Sequence, residues 1–309
     1  MKSTRIARRK KVRFAGIFIK AMVFLVLILA FFLFLKFSSR YWNGNDKFAV
    51  AYPTTGGDAA VTILDPKLNE VTTFTIPGDT QVDVAKSYGT LRIKNVWQLG
   101  KNEKMGGELL AETITQNFLF PIHLWADSGA ASLGEGSLPG IFKFVFSPSS
   151  TNIAFGDRLF SGVFALKVGE RGRNGIDLGK SQFLTRQILS DGQTGFIIAG
   201  TISAQLTVYF SDNDIEGVTA SGKNLRINII DATGGVGVAQ KVGQILEVMG
   251  GKVVSIDRRS KSSGVGCLVY GKNLKIVKKV ATLLSCGVGE AVTNFDLELF
   301  LDSQFAKNF

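Results

Sequence analysis

The sequence predicts an α/β protein carried behind an N-terminal membrane-spanning helix, and three observations lead there. Strand-like runs such as AVTILD and LRINIID alternate with stretches of helical period such as GGELLAETITQNF. An apolar fraction of 45% over 309 residues is enough to build proper cores. A long apolar run, Phe14 to Leu35, follows a strongly basic start.

That run is broken only by Lys20, and as a helix it would reach roughly 33 Å, enough to cross a bilayer core. Seven basic residues precede it and two, Lys36 and Arg40, follow closely, so the positive-inside rule puts residues 1–13 in the cytoplasm and the body outside. A cleaved signal peptide fits less well, because the run exceeds a usual signal core and no A-x-A-like site follows Leu35. The net charge of +11 also resolves here. Ten of the 36 Lys and Arg lie in the first 40 residues, which hold no acid, leaving 26 basic against 25 acidic side chains in the rest. A nearly neutral body argues against a nucleic-acid partner and leaves the lipid bilayer as the partner of the basic start.

Residues 36–47 read as a polar linker in which Tyr41 and Trp42 are expected at the membrane interface, with folding expected from Phe48. The first extracytoplasmic domain is expected over 48–215. It opens with two strands, AVTILD and EVTTFTI, joined across PKLN. Leu110, Ile114 and Phe118 then recur every fourth residue, the stripe of a helix with one buried side. Between Ser128 and Asp214 the pattern weakens. GIFKFVF, LFSGVFAL, GFIIAG and AQLTVYF read as short strands and SQFLTRQIL as a helix.

The second domain, 216–309, is clearer. After LRINIID, the residues Val238, Val242, Ile245, Leu246 and Met249 line one face of a helix stopped by Gly250-Gly251. KVVSID and VGCLVYG follow as strands. Val277, Val280, Ala281 and Leu284 then mark a helix whose other face carries Lys275, Lys278 and Lys279, and DLELFL closes the unit. This βαββαβ order predicts a small sheet with helices on one face, ferredoxin-like or a related split βαβ unit. Cys267 and Cys286 fall in this domain; they either pair, as an exported domain permits, or stay as buried apolar thiols. His123 sits between Ile122 and Leu124 and reads as a packed or surface residue rather than a catalytic one.

The glycine cluster in IIDATGGVGVAQKV raises the question of a phosphate loop. Walker A is excluded, because Val238 and Ala239 follow Gly237 where Lys-Ser or Lys-Thr is required. A dinucleotide fingerprint fails at its third glycine, which is Gln240, although Asp257 has the spacing of a ribose acid. The glycines are therefore expected to supply a positive-φ turn, with Thr233 as a cap.

LRINIIDATGGVGVAQKVGQILEVMGGKVVSID, with VYFSDNDIEGVTASG before it and DLELFL at the end, resembles the LytR C-terminal domain over about Leu206 to Phe309. Asp231 stands where that family usually has Asn. The resemblance implies an accessory, non-catalytic module without a cofactor. Upstream, AAVTILDPKLNEVTTFTIPGDTQVDV and RIKNVWQLGKNEKMGGELLAETI resemble the LytR-CpsA-Psr catalytic domain, so the mixed-sheet α/β fold of that family is expected.

That family attaches anionic glycopolymers to peptidoglycan, holding a polyprenyl pyrophosphate with arginines and a divalent cation with acids. Its hallmark I-P-R-D-T reads here Ile76-Pro77-Gly78-Asp79-Thr80, so the gripping arginine is replaced by Gly78. By the resemblance Asp79 and Asp58 would be the catalytic acids. Arg92 and Lys94 would be compensating substrate-binding cations from a neighbouring strand, although alternate charges there also suit a solvated face. Arg186, with Asp177, would belong to a remnant of the family's later Asp/Arg segment.

Losing the arginine removes charge-assisted hydrogen bonds of roughly 1.5–3 kcal/mol each. The expected function is therefore that of a membrane-anchored, extracytoplasmic cell-envelope protein, a non-catalytic LytR-CpsA-Psr-like module that binds wall polymer, a polyprenyl-linked glycan or other envelope components. No cofactor is expected. The alternative is a working phosphotransferase, with Mg2+ at the acids, that attaches lipid-pyrophosphate-linked glycopolymers to peptidoglycan. A regulatory or nucleic-acid-binding protein is the third class, disfavoured by the neutral body.

Overall fold

The computed structural model describes residues 20, 22–26, 41–42, 44–147, 150–199, 203–211, 215, 224–290 and 293–309. Most of the expected membrane helix, Phe14–Leu35, lies outside the described residues. Among the described residues no helix is long and apolar enough to cross a membrane.

The first unit opens with strands β1 (Phe48–Pro53), β2 (Ala59–Asp65), β3 (Glu70–Ile76), β4 (Gln81–Val84) and β5 (Gly89–Arg92). Helices α1 (Ile93–Asn102) and α2 (Glu108–Phe118) and strand β6 (Leu124–Trp125) come next. Helices α3 (Ala131–Glu135), α4 (Leu138–Phe146) and α5 (Phe155–Lys167) precede strands β7 (Arg173–Asp177), β8 (Leu184–Ile188) and β9 (Thr194–Ile198), and α6 spans Ser203–Phe210. The central sheet runs β6-β1-β2-β3-β7. Its three middle strands are antiparallel and both edge strands pair in parallel, so it is mixed. Asp65 closes the β2–β3 turn by accepting from the Lys67 and Leu68 N–H groups at 2.9 and 3.2 Å, with Asn69 at φ 54°.

Every residue of β2 is buried. Alternate side chains explain why: Val61 and Ile63 join Phe74, Leu110 and Ile114 on one face, while Ala60 and Leu64 join Val50, Leu133, Ile141 and Phe144 on the other. A strand covered on both faces reads as a continuous apolar run, and the sheet is the middle layer of three.

The middle of the chain departs from the sequence expectations. GIFKFVF and LFSGVFAL, expected as strands, form α4 and α5, and AQLTVYF lies in α6. The local reason is visible at α4, where the Ser137 hydroxyl accepts from the Gly140 N–H at 3.5 Å and Pro139 sits in the first turn. SQFLTRQIL, expected as a helix, instead supplies β8, which pairs with β9 across a turn containing Asp191 and Gly192 at φ 76°. LRIKN, expected as a strand, ends β5 at Arg92 and starts α1 at Ile93. Trp42, expected at the membrane interface, is 6% exposed: its ring packs edge-on against Phe164 at 5.6 Å, and its indole N–H donates to the Asp46 carbonyl at 2.7 Å.

The second unit comprises β10 (Arg226–Ala232), α7 (Val238–Val248), β11 (Lys252–Arg258), β12 (Cys267–Gly271), α8 (Leu274–Leu283), β13 (Gly287–Val288), β14 (Leu297–Asp302) and α9 (Ser303–Asn308). Its sheet runs β11-β10-β14-β12-β13. The βαββαβ order is present with β13 and α9 added, but β10 and β11 are direct parallel neighbours, so the βαβ unit is not split. The expected positive-φ turn is there at Gly234 (68°) and Gly237 (90°). Thr233 caps no helix; its hydroxyl donates to Asp231 at 2.6 Å and accepts from the Gly235 N–H at 3.1 Å, bracing the turn. Leu297, Leu299 and Leu301 are fully buried and alternate with half-exposed Glu298 and Phe300, the signature of a sheet packed on one face.

Cys267 and Cys286 form a disulfide with Cα atoms 4.8 Å apart, joining β12 to the chain just before β13. The two units meet where the Lys86 N–H donates to the Asn308 carbonyl at 2.9 Å and the Ser87 hydroxyl to the Lys307 carbonyl at 2.6 Å. A cavity of about 300 Å³ lies between them, lined by Glu112, Gln116, Leu284 and Phe305 among others.

Candidate functional site

The site is built on the turn between β3 and β4. Gly78 donates its N–H to Asp58 Oδ1 at 2.7 Å, which ties the turn to the start of β2. The carbonyls of Gly78 and Thr80 accept from the Lys94 and Ile93 N–H groups at 3.1 and 2.9 Å. Two of the unpaired donors at the start of α1 are thus satisfied by the turn itself. Asp79 consequently sits over the positive end of that helix.

Gly78 is fixed by space rather than by backbone angle. A Cβ added there would stand 2.4 Å from the Gly57 carbonyl oxygen, 3.0 Å from its carbonyl carbon and 3.2 Å from Lys94 Cβ. No side chain fits without moving the backbone of the β1–β2 turn. The position at which the resemblance expects a phosphate-gripping arginine is closed.

The cations nearby are paired. Arg92 Nη1 lies 2.9 Å from Asp79 Oδ1, and Lys94 Nζ lies 2.6 Å from the same oxygen. The other edge of the Arg92 guanidinium makes a fork to Asp191, Nε to Oδ2 at 2.9 Å and Nη2 to Oδ1 at 3.0 Å, and Nη1 also donates to the Thr194 carbonyl at 3.3 Å. Its side chain is only 10% exposed, whereas those of Asp79 and Asp191 are about half exposed at 49% and 48%. The hydrogen bond from Lys94, then that from Arg92, holds the Asp79 carboxyl below its ordinary range. The Gln193 backbone N–H, followed by Arg92, does the same for Asp191. The fork to Asp191, with Asp79 behind it, raises Arg92 further.

The structure therefore brings Asp58, Asp79, Arg92 and Lys94 together around one turn. Arg186 stands apart on β8, exposed and in register with Phe196 of β9; the Phe196 N–H donates to the Asp79 carbonyl at 3.2 Å, so the hairpin is docked on the site even though Arg186 is not part of the cluster. Asp177 closes its own turn, accepting from the Gly179 N–H at 2.9 Å. Asp191 was absent from the sequence expectations. Its signal was the Asp-Gly turn between β8 and β9, which also fixes the hairpin.

The donor set does not suit a divalent cation. Two cationic groups already crowd Asp79 Oδ1, and Asp58 spends an oxygen on a backbone N–H. Among the described residues, no group of three or more His, Cys, Asp or Glu side chains could hold a metal ion.

No protein-family model matches the sequence, and no curated protein matches it either. Over about half of its length the chain is similar, at low identity, to a group of solved structures. Bacillus subtilis TagT is 11% identical, with a TM-score of 0.37 over 52% of this chain and 88% of that one. Bacillus subtilis TagV is 12% identical, with a TM-score of 0.36 over 51% of this chain and 92% of that one. The LytR-CPS2A-psr family protein YwtF (TagT), solved with bound octaprenyl pyrophosphate lipid, is 11% identical, with a TM-score of 0.33 over 52% and 87%.

Proposed function

We propose that this chain is a single-pass, membrane-anchored cell-envelope protein with an extracytoplasmic body, a LytR-CpsA-Psr-like module that binds wall polymer or other envelope components without transferase chemistry. The observation that carries the non-catalytic reading is the closed position at Gly78, where a Cβ would meet the Gly57 oxygen at 2.4 Å. The pairing of Arg92 and Lys94 with Asp79 and Asp191 supports it, since an incoming pyrophosphate would have to displace carboxylates already seated on those cations.

Anchoring is supported by the described part of the apolar run, where Met22–Val26 is helical and its five side chains remain 53–66% exposed. Apolar surface all round a helix calls for lipid or a protein cover. The Cys267–Cys286 disulfide supports the exported location, because such bonds persist in oxidising compartments.

The reading is tested by incubating the full chain in vesicles with a lipid-linked glycopolymer and peptidoglycan sacculi. The chain is expected to sediment with the sacculi and to transfer no polymer. Transfer that disappears in Asp79→Ala would establish the phosphotransferase instead, and failure to sediment would remove wall binding.

A further inference from the structure

We propose that the outer face of the α4–α5 hairpin rests on the bilayer surface, so that the body is held against the membrane by a second, apolar contact beside its anchor. The proposal depends on the anchored reading above and adds to it an orientation and a surface.

On α4, Leu138, Phe142 and Phe146 are 68%, 65% and 55% exposed, and their spacing of four places them in one stripe. The opposite side of the helix buries Ile141, Phe144 and Val145. On α5, Phe160, Val163 and Leu166 are each at least 40% exposed. The two helices touch closely at Gly162, where a Cβ would meet Ile141 Cγ2 at 2.8 Å and Val145 Cγ2 at 3.2 Å. Phe146 continues the surface from one helix to the other, its ring 4.6 Å from Phe142 and 5.9 Å from Phe155. Scattered surface apolar residues are ordinary, but six on one hairpin form a patch of the kind that marks an interaction surface.

The location of the chain's entry selects lipid as the occupant. The Tyr41 and Trp42 N–H groups donate to the Asp157 carboxylate at 3.2 and 3.1 Å, and Asp157 lies in the first turn of α5. The polypeptide arriving from the apolar run is therefore fastened to the helix that carries the patch. Leu35 and Tyr41 are six positions apart, a reach of at most about 20 Å when fully extended. If Leu35 is at the membrane surface, the hairpin is tethered within that distance of it.

The charge agrees with this occupant. The exposed charged side chains on the two helices are Lys143 and Lys167, which favour anionic headgroups. Against a second copy of the same face these lysines would meet like charges.

The test uses the full chain in vesicles of equal parts phosphatidylethanolamine and phosphatidylglycerol. An environment-sensitive fluorophore is placed on Phe142→Cys, on Phe160→Cys, and on Leu68→Cys in the exposed β2–β3 turn as the reference. Both hairpin sites are expected to shift to the blue and to be quenched by lipids carrying a nitroxide near the headgroup, with no change at the reference. Hairpin labels that behave like the reference on a chain that floats with the vesicles would overturn the proposal and leave the anchor standing. Self-quenching between labelled copies without lipid quenching would overturn it in favour of a dimer face. A chain that does not float would remove both the anchor and this surface.

Discussion

Gly78 is the residue on which the functional reading turns, and its constraint is a distance rather than a preference. Filling the 2.4 Å gap to the Gly57 oxygen forces a backbone shift, which in packed settings costs about 1–3 kcal/mol. Gly78→Ala is thus expected to lower the unfolding free energy from urea titration by an amount in that range, and an unchanged free energy would show the β1–β2 turn to be yielding. His123 offers a second residue-scale prediction. Burial lowers its pKa from 6.5 to about 4, with Lys279 adding repulsion, and its Nε2 has no hydrogen-bond partner among the described residues. Above pH 6.5 the imidazole is neutral in both folded and unfolded chains. As the pH falls from 6.5 to 4 the unfolded chain takes up a proton that the folded one refuses, so stability falls, by on the order of 3 kcal/mol when complete. Urea titrations across that window should show a steeper loss for the natural chain than for His123→Gln. The acids and cations of the site were legible as residues, because Asp58, Asp79, Arg92 and Lys94 stand at or beside a quotable motif. Their mutual pairing was not, because Arg92 and its fork partner Asp191 lie 99 positions apart.

Among the elements, the strong periodicities were readable and the short apolar runs were not. The stripe of Leu110, Ile114 and Phe118 is α2, with all three side chains buried. Phe155–Lys167 buries the small or polar Gly156, Asp157, Ser161, Gly162 and Ala165 while Phe160, Val163 and Leu166 face outward, so the usual apolar-in, polar-out period of 3.6 is missing and the run passes for a strand. The same excess of outward apolar residues makes that hairpin an interaction surface. In the second unit the element order was readable, but the unsplit pairing of β10 with β11 was not, since order does not set which strands become neighbours. The disulfide closes a loop of 19 residues, and the chain-entropy relation makes it worth about 3 kcal/mol. Replacing both cysteines with alanine is expected to lower unfolding free energy by that amount. A double variant as stable as the natural chain would mean that the unfolded state is already compact there.

At the scale of the whole molecule, the fold is two α/β units, each around its own mixed sheet and joined through α6, whose Phe210 ring lies 4.7 Å from Phe120 of the first unit. The class was legible because strands and helices alternate. The three-layer arrangement was not, because coverage of both faces of β2 depends on α3, α4 and α5, the segment in which sequence patterning was weakest. The proposed envelope-binding role rests on a turn in which Gly78 has no room for a side chain beside Gly57, and in which Arg92 and Lys94 are already paired with Asp79 and Asp191. The most direct measurement is calorimetric titration of the full chain in vesicles with a polyprenyl pyrophosphate, with and without magnesium. No saturable heat is expected from either the natural chain or Asp79→Ala; saturable, magnesium-dependent binding that Asp79→Ala abolishes would contradict the account.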